Sequence, residues 1–286
     1  MDERDWLILR ALYEHKNITK AAQELYMSQP ALTNRLKDIE EKFKVKIAMR
    51  GRRGVHFTPQ GEYLANYADQ IILNLRRIKE NVLNFDKNIG GTLRIGTSRL
   101  AAKYQLPKIL RLFRNEYPEV DFKVIATWSR NIPNYLKSEE VHIGIFRGEQ
   151  YWPDEKHLLS EEKICIASKN RIKLQDLPNL PRIDFETDSL LQVEIDNWWK
   201  RNYTQPPQIS MEVDQVDTCK EMVINGLGYA ILPNIVVQGV KDIDTMDIFN
   251  EDGQPITRRT WMAYQKKSTD INAVRVFVDF VKSKKF

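Results

Sequence analysis

Residues 18–43 read ITKAAQELYMSQPALTNRLKDIEEKF, and their spacing decides the fold of the first domain. Ile18, Ala21, Ala22 and Leu25 stand at i, i+3, i+4 and i+7, the apolar stripe of a short helix. Thr19 is the expected cap of that helix, over Lys20 to Leu25, and the small Ala21 and Ala22 let a second helix approach closely. Tyr26-Met27 makes a tight break. Ser28 is a good N-cap and Pro30 is tolerated in a first turn, so a longer helix is predicted from about Gln29 to Phe43. Leu32, Leu36, Ile39 and Phe43, spaced 4-3-4, form its apolar face, and Gln29, Pro30, Thr33, Asn34 and Lys37 form the opposite one. Amides, a hydroxyl and an ammonium at the N-terminal end of a helix are the groups that read base edges in a major groove. A helix-turn-helix is therefore expected rather than a generic three-helix bundle.

Upstream, residues 4–13 read as a helix with Trp6, Leu9, Leu12 and Tyr13 on one side, broken at Asn17. Downstream, Lys44–Phe57 has the glycines and arginines of a β-wing. Lys42, Lys44, Lys46, Arg50, Arg52 and Arg53 occur with no acid between Glu41 and Glu62, in a chain whose net charge is only +5. A solvated basic loop explains such a cluster; so does a set of phosphate contacts, which the neighbouring helix-turn-helix favours, with Arg50, Arg52 and Arg53 as the contacts.

Thr58-Pro59 opens the next element as N-cap and first helical residue. Leu64, Ala68, Ile71, Leu75, Ile78, Val82, Phe85 and Ile89 then alternate at spacings of four and three, an a/d heptad that predicts a long helix and a dimer seam. Gly90-Gly91 ends it.

From Thr92 onward β-type runs alternate with helices: Thr92–Gly96, Leu106–Glu116, Val120–Ala126, Pro133–Lys137, His142–Phe146, then a second set through Lys163–Ala167, Leu190–Asn202, Ile209–Val213, Val216–Asn225, Tyr229–Leu232, Thr260–Tyr264 and Ile271–Lys282. Two α/β subdomains with parallel strands and a cleft between them are implied. The domain plan is 1–58 for DNA binding, 59–89 for the linker helix and 90–286 for an effector domain. Within the last, subdomain I takes about 90–160 and 265–286, and subdomain II about 161–264.

Ligands of such folds sit at the C-terminal ends of parallel strands. Thr97-Ser98-Arg99-Leu100, Trp128-Ser129 and Phe146-Arg147-Gly148 occupy those places. Arg147 leaves an apolar strand and needs an acidic partner, either a ligand or an internal carboxylate. Arg258 or Arg259 precedes a strand expected in subdomain II and is placed to close over the same ligand, and Gln215 and Thr218 lie beside the crossover. Two arginines with hydroxyls suit a di- or tricarboxylate, each guanidinium forking onto one carboxylate.

Other classes fall away. No G-x-S-x-G elbow, P-loop or H-E-x-x-H occurs, and Gly226-x-Gly228 lacks the full dinucleotide fingerprint, so no catalytic residue is nominated. Cys165 and Cys219 are far apart and the four histidines are scattered, which excludes a disulfide framework and nominates no metal site. No run of eighteen apolar residues and no signal peptide is seen, so residence in the cytoplasm away from the membrane is expected.

Residues 21–40 closely resemble the helix-turn-helix signature of LysR-type regulators. Phe57-Thr58-Pro59-Gln60-Gly61 is similar to that family's entry into its linker helix, and Gly226–Pro233 to a motif of its second effector subdomain. Ala48-Met49 departs from the usual aromatic-containing stretch before Arg50. The resemblance covers the whole chain in order. It implies a winged helix-turn-helix joined to an α/β periplasmic-binding-protein-like effector domain of two subdomains, with operator DNA as partner and a homodimer or homotetramer as assembly. Val213–Met222 with Arg147 and Arg258 further resembles the citrate-responsive regulators of tricarboxylic-acid-branch genes in Gram-positive bacteria, which implies citrate as the effector and no other cofactor. The competing reading is a ligand-independent DNA-binding or architectural protein with a vestigial α/β domain, or a sensor of another metabolite.

Overall fold

The computed structural model describes residues 1–51, 54–83 and 89–284, with the Arg50, Asn81 and Leu83 side chains outside that description. The chain forms two compact units, Met1–Lys87 and Asn88–Phe286.

The first unit comprises α1 (Glu3–His15), α2 (Ile18–Glu24), α3 (Gln29–Phe43), the hairpin β1 (Ala48–Gly51) and β2 (Gly54–Phe57), and α4 (Pro59–Leu83). Asp2 and Asp5 cap α1 reciprocally. Asn17, not Thr19, caps α2: its side-chain oxygen accepts the Lys20 N–H at 3.0 Å, so the helix begins at Ile18 and buries it. Ser28 caps α3 as expected. Leu32, Leu36 and Ile39 are buried with Ile8, Leu9, Leu12, Ala21 and Ala22, whereas Phe43 is left exposed in the last turn.

Two carboxylates lock this unit. Asp5 of α1 is fully buried and accepts from Arg35 Nε of α3 at 2.5 Å. Glu40 of α3 accepts from Lys46 Nζ at 2.8 Å and from the Ile47 N–H at 2.9 Å, which fixes the start of the wing. Burial pushes the Glu40 carboxyl up, but Lys46 and the Ile47 and Ala48 amides outweigh it and hold it below its ordinary value.

The entry to α4 is equally tight. Thr58 donates to the Lys46 carbonyl at 2.5 Å and accepts the Gly61 N–H at 3.0 Å. A Cβ on Gly61 would stand 2.0 Å from the Ile47 carbonyl oxygen, so only glycine fits there.

The heptad divides along α4. Ala65, Ala68 and Ile72 are buried, with Ala68 in the α1 core and Leu64 at its edge. Those two positions, expected in a dimer seam, cover their own helix-turn-helix, because the apolar side of α1 needs a lid. Ile71 and Leu75 are half-buried, while Ile78 and Val82 are 59% and 60% exposed. Phe85 lies outside the described residues, and Ile89 is not helical but packs on the core of the second unit. Helix α4 thus belongs to the first unit, which runs well past residue 58.

The second unit runs β3 (Gly91–Ser98), α5 (Arg99–Tyr104), α6 (Leu106–Glu116), β4 (Val120–Thr127), α7 (Ile132–Lys137), β5 (Ile143–Arg147), β6 (Glu155–Ser168), β7 (Pro181–Phe185), α8 (Ser189–Asn202), β8 (Gln208–Val213), α9 (Val216–Ile224), β9 (Ala230–Pro233), β10 (Asp244–Asp247), β11 (Thr257–Tyr264) and α10 (Asn272–Ser283). Strands β4, β3 and β5 are parallel neighbours; β11 joins β5 antiparallel, and β6 joins β11. Beyond Lys163, β6 leaves that sheet and pairs with β9 and β10. Strand β7 is parallel to β8 and reaches β9 through two backbone bonds, Ile183 N–H to Tyr229 O and Tyr229 N–H to Pro181 O. Two α/β subdomains result. Because β11 pairs with β5 from Thr260 to Tyr264, it belongs to the first subdomain, and the boundary expected at 264 moves to the start of β11.

Gly61→Ala forces the wing and α4 apart, and it should cost the first unit about 1–3 kcal/mol. Chemical denaturation followed by circular dichroism checks this, and a midpoint equal to the parent's would rule the clash out.

Candidate functional site

Helix α3 presents Gln29, Pro30, Asn34 and Lys37 exposed and Thr33 half-buried. The Thr33 hydroxyl donates to the Gln29 carbonyl at 2.9 Å, which orients its methyl and oxygen on that face. Tyr26, treated as a mere break in the sequence, is 96% exposed at the turn between α2 and α3, in the left-handed region at φ 51°. A large aromatic where a small residue would turn more cheaply was the available signal. Arg52, Arg53 and the Arg50 side chain lie outside the described residues.

The second site is a cavity of about 130 Å³ in the effector unit. Ser98, Arg99 and Leu100 reach it from the end of β3, and Ser129 from the segment after β4. Arg147 comes from the end of β5, Gln215 from the turn before α9 and Arg258 from β11. Two expected residues do not line it. Thr97 is fully buried with its hydroxyl turned to the Ser98 carbonyl, and Thr218 sits one helical turn away on α9, outside the lining. Ser98 itself caps the short α5 through the Ala101 N–H. Sequence reading missed the opposite wall, Phe185, Thr187, Asp188 and Leu191, because β7 went unrecognised.

Each of the two deep arginines has a carboxylate partner in the chain. Arg147 pairs with Glu162 of β6, and its backbone N–H donates to Ser129 Oγ at 3.1 Å. Arg258 pairs with Asp188, the N-cap of α8, whose other oxygen accepts the Leu191 N–H. Both arginines are less than a tenth exposed. Burial pushes the Glu162 carboxyl above its ordinary range, with Arg147 pulling the other way. Gly148, at φ 80°, lies where an added Cβ would fall 2.1 Å from an Arg258 guanidinium nitrogen, so glycine makes the passage for that side chain. At the mouth, Arg99 and Arg130 flank the Trp128 ring at 5.0 and 5.4 Å, a cation–π pair. Asp217 takes Lys103 Nζ at 2.7 Å and the Tyr104 hydroxyl; burial works upward on its carboxyl, but these two donors hold it below its usual value.

Comparison with known proteins adds the family. Residues 4–62 match the model described as bacterial regulatory helix-turn-helix protein, lysR family, and residues 87–285 match that of the LysR substrate binding domain. The chain is 42% identical over 282 residues to the "Uncharacterized HTH-type transcriptional regulator YraN" of Bacillus subtilis (strain 168), covering 99% of this chain and 98% of that one. It is 33% identical to that organism's YkuM, a regulator of the same description, covering 96% and 94%. Among solved structures, full-length CbnR complexed with its target DNA matches with a TM-score of 0.68 at 20% identity, over 99% of both chains. The Vibrio cholerae virulence activator AphB matches at 0.64 and 15%, over all of both. At such identities the structures speak for the fold alone.

The Arg147–Glu162 pair makes a definite energetic demand. Arg147→Met leaves a buried carboxylate alone and should cost about 3–5 kcal/mol, whereas Arg147→Met with Glu162→Leu should recover most of it. Urea unfolding followed by tryptophan fluorescence measures both. A double variant no more stable than the single one would show that the pair is not what holds this wall.

Proposed function

The chain belongs to the LysR family of DNA-binding transcriptional regulators, which are not enzymes, and from that premise we propose that a small carboxylate metabolite in the effector cleft sets its binding to operator DNA. One observation carries the reading: Ser98, Ser129, Arg147 and Arg258, from four separate segments, meet in one cavity. Each guanidinium offers a fork for a carboxylate, and the hydroxyls add orientation. A di- or tricarboxylate suits this, and citrate is the member to try first. Its carboxylates would take the guanidinium groups over from Glu162 and Asp188. Guanidinium and hydroxyl groups from four segments converging on one cavity favour the sensor over the ligand-independent DNA-binding protein.

The same reading assigns the α3 face to the major groove and Arg50, Arg52 and Arg53 to phosphates. It places the protein in the cytoplasm with the chromosome. It also assigns assembly as a homodimer or homotetramer to the outer side of α4, where Tyr63, Tyr67, Ile78 and Val82 are exposed. No helix among the described residues is long and apolar enough to cross a membrane.

Operator titrations across a range of salt concentration examine the DNA side. Asn34→Ala should lose about 1–3 kcal/mol of discrimination between operator and random DNA. Arg52→Ala should weaken both equally and lower the salt slope by about one. Ile78→Glu should sediment as a monomer and lose tight operator binding. Base preference moved by Arg52→Ala and untouched by Asn34→Ala would reverse the two roles, and an Ile78→Glu protein that still sediments like the parent would remove the α4 seam.

Calorimetry of the full chain with citrate examines the cleft. Binding should weaken about tenfold to a hundredfold in Arg258→Ala. Affinity unchanged in both Arg147→Ala and Arg258→Ala would take these arginines out of the site.

A further inference from the structure

Four arginines line the effector cleft (Arg99, Arg130, Arg147 and Arg258), and so do four carboxylates (Glu186, Asp188, Asp214 and Asp217). The cavity is electrically balanced at its wall rather than cationic. At its deep end the balance is local, since Arg258 is already matched by Asp188 and Arg147 by Glu162.

That pairing restricts what can enter. Arg258 is 5% exposed, so its guanidinium cannot turn to water when it changes partner. A ligand that offers only carboxylates can take Arg258, but it strands Asp188 without its cation and sets a second anion beside it. Separating this pair leaves Arg258, whose side chain is 6% exposed, in need of a new anion, and leaves Asp188, about one-third exposed, matched by water alone unless the ligand supplies a donor. A ligand with an anionic group and a hydrogen-bond donor on neighbouring atoms does match both. At and behind the wall, Arg147 Nε, a donor, and Glu162 Oε2, an acceptor, are buried without a hydrogen-bond partner, as is Thr260 Oγ1, which does either; of these three residues Arg147 lines the cavity and the other two stand behind it. Register places them together, because Thr260 stands opposite Arg147 and Arg258 opposite Glu162.

Resting on the reading of this cleft as the effector site, we infer that the effector carries a carboxylate next to a hydrogen-bond donor: it inserts into the Arg258–Asp188 pair, its carboxylate taking the guanidinium and the adjacent hydroxyl or ammonium taking Asp188. Hydroxy acids and amino acids share that chemistry, and citrate, with its hydroxyl, lies within the class. Asp188 is suited to the part because the Leu191 N–H holds one of its oxygens at the N-terminus of α8 while the other stays with Arg258. The specificity-determining residue is therefore an acid, not only the two arginines.

Matched ligands test this on the full-length chain by calorimetry. Succinate, malate and aspartate share two carboxylates and differ in carrying no donor, a hydroxyl or an ammonium; tricarballylate is citrate without its hydroxyl. At least one of malate and aspartate should bind roughly tenfold or more tighter than succinate, and citrate likewise over tricarballylate. The malate-to-aspartate ratio then reports which donor is used. In Asp188→Ser, which keeps a cap on α8 but withdraws the carboxylate, the preferences should shrink to within about twofold. Succinate and tricarballylate binding as well as their partners would overturn the inference while leaving the carboxylate site standing, as would a preference unchanged in Asp188→Ser. Failure of all five ligands to bind would overturn the carboxylate reading of the cleft, and this inference with it.

Discussion

The β5–β11–β6 ladder is the interaction on which the effector unit depends. It sets Thr260 between Arg147 and Ser160, and Arg258 opposite Glu162. Residues paired across a ladder share a face, so backbone hydrogen bonding alone gathers two cations, an anion and a hydroxyl on one surface. A slip of one residue in β11 would turn Arg258 and Thr260 to the far side and take from the cleft one of its two deep arginines. A bulge at Thr260–Trp261 makes room for Leu159, which packs into the first core, while the polar residues beyond it keep their orientation. Strand β6 then runs on into the second sheet, so the base of the cleft is continuous hydrogen-bonded chain.

In the DNA-binding unit the governing constraint is that α1 has more apolar surface than α2 and α3 can cover. Helix α4 packs on α1 and supplies the remainder, with Ala68 in the shared core and Leu64 at its edge; Ala65 and Ile72 are buried as well. Its packing side and its outer side are therefore different stripes of one helix. A heptad count treats them as a single seam, since spacings of three and four fit both. Periodicity reports that a helix has an apolar side, and only the neighbouring helix decides whether that side is spent within the chain.

What the sequence made legible follows from the range of the interactions. Local chemistry was readable: Ser28 and Thr58 cap the helices assigned to them, and α6 spans the residues its pattern marked, Leu106–Glu116. The α2 cap went to Asn17 instead of Thr19, because both residues cap well and the buried Ile18 decided between them. The first half of β6, Glu155 to Lys163, was hidden because it is rich in charged residues with no clean alternation. Unread β7 hid the wall that carries Asp188. Arg147 needed an acid on any reading, but Glu162 became that acid only through the pairing of β11 with both β5 and β6. Loops at strand ends were marked by topology, which is why Ser98, Ser129 and Arg147 were nominated and meet; Arg258, nominated as preceding a strand, lies within β11 and joins them there. Thr97, one residue before Ser98, faces the interior for the reason that any strand alternates.

A balanced cleft also has a consequence for selectivity. A cell is rich in phosphate and in simple organic acids, and an open cationic pocket attracts all of them. In the proposed site any such anion would compete with Glu162 and Asp188, which are held in place by the fold and are present at no entropic cost of association. The internal carboxylates thus lower the affinity of every anion by the same exchange free energy and leave the differences among ligands to their remaining groups. Discrimination in that arrangement rests on a destabilised wrong complex as much as on a favourable right one. The Arg258–Asp188 pair joins β11 of the first subdomain to the N-terminus of α8 in the second, so the proposed exchange of partners at this pair would also be an exchange of contacts between subdomains. On that proposal recognition and conformational response would draw on one ion pair, and a ligand too weak to open it would leave the subdomains as they were.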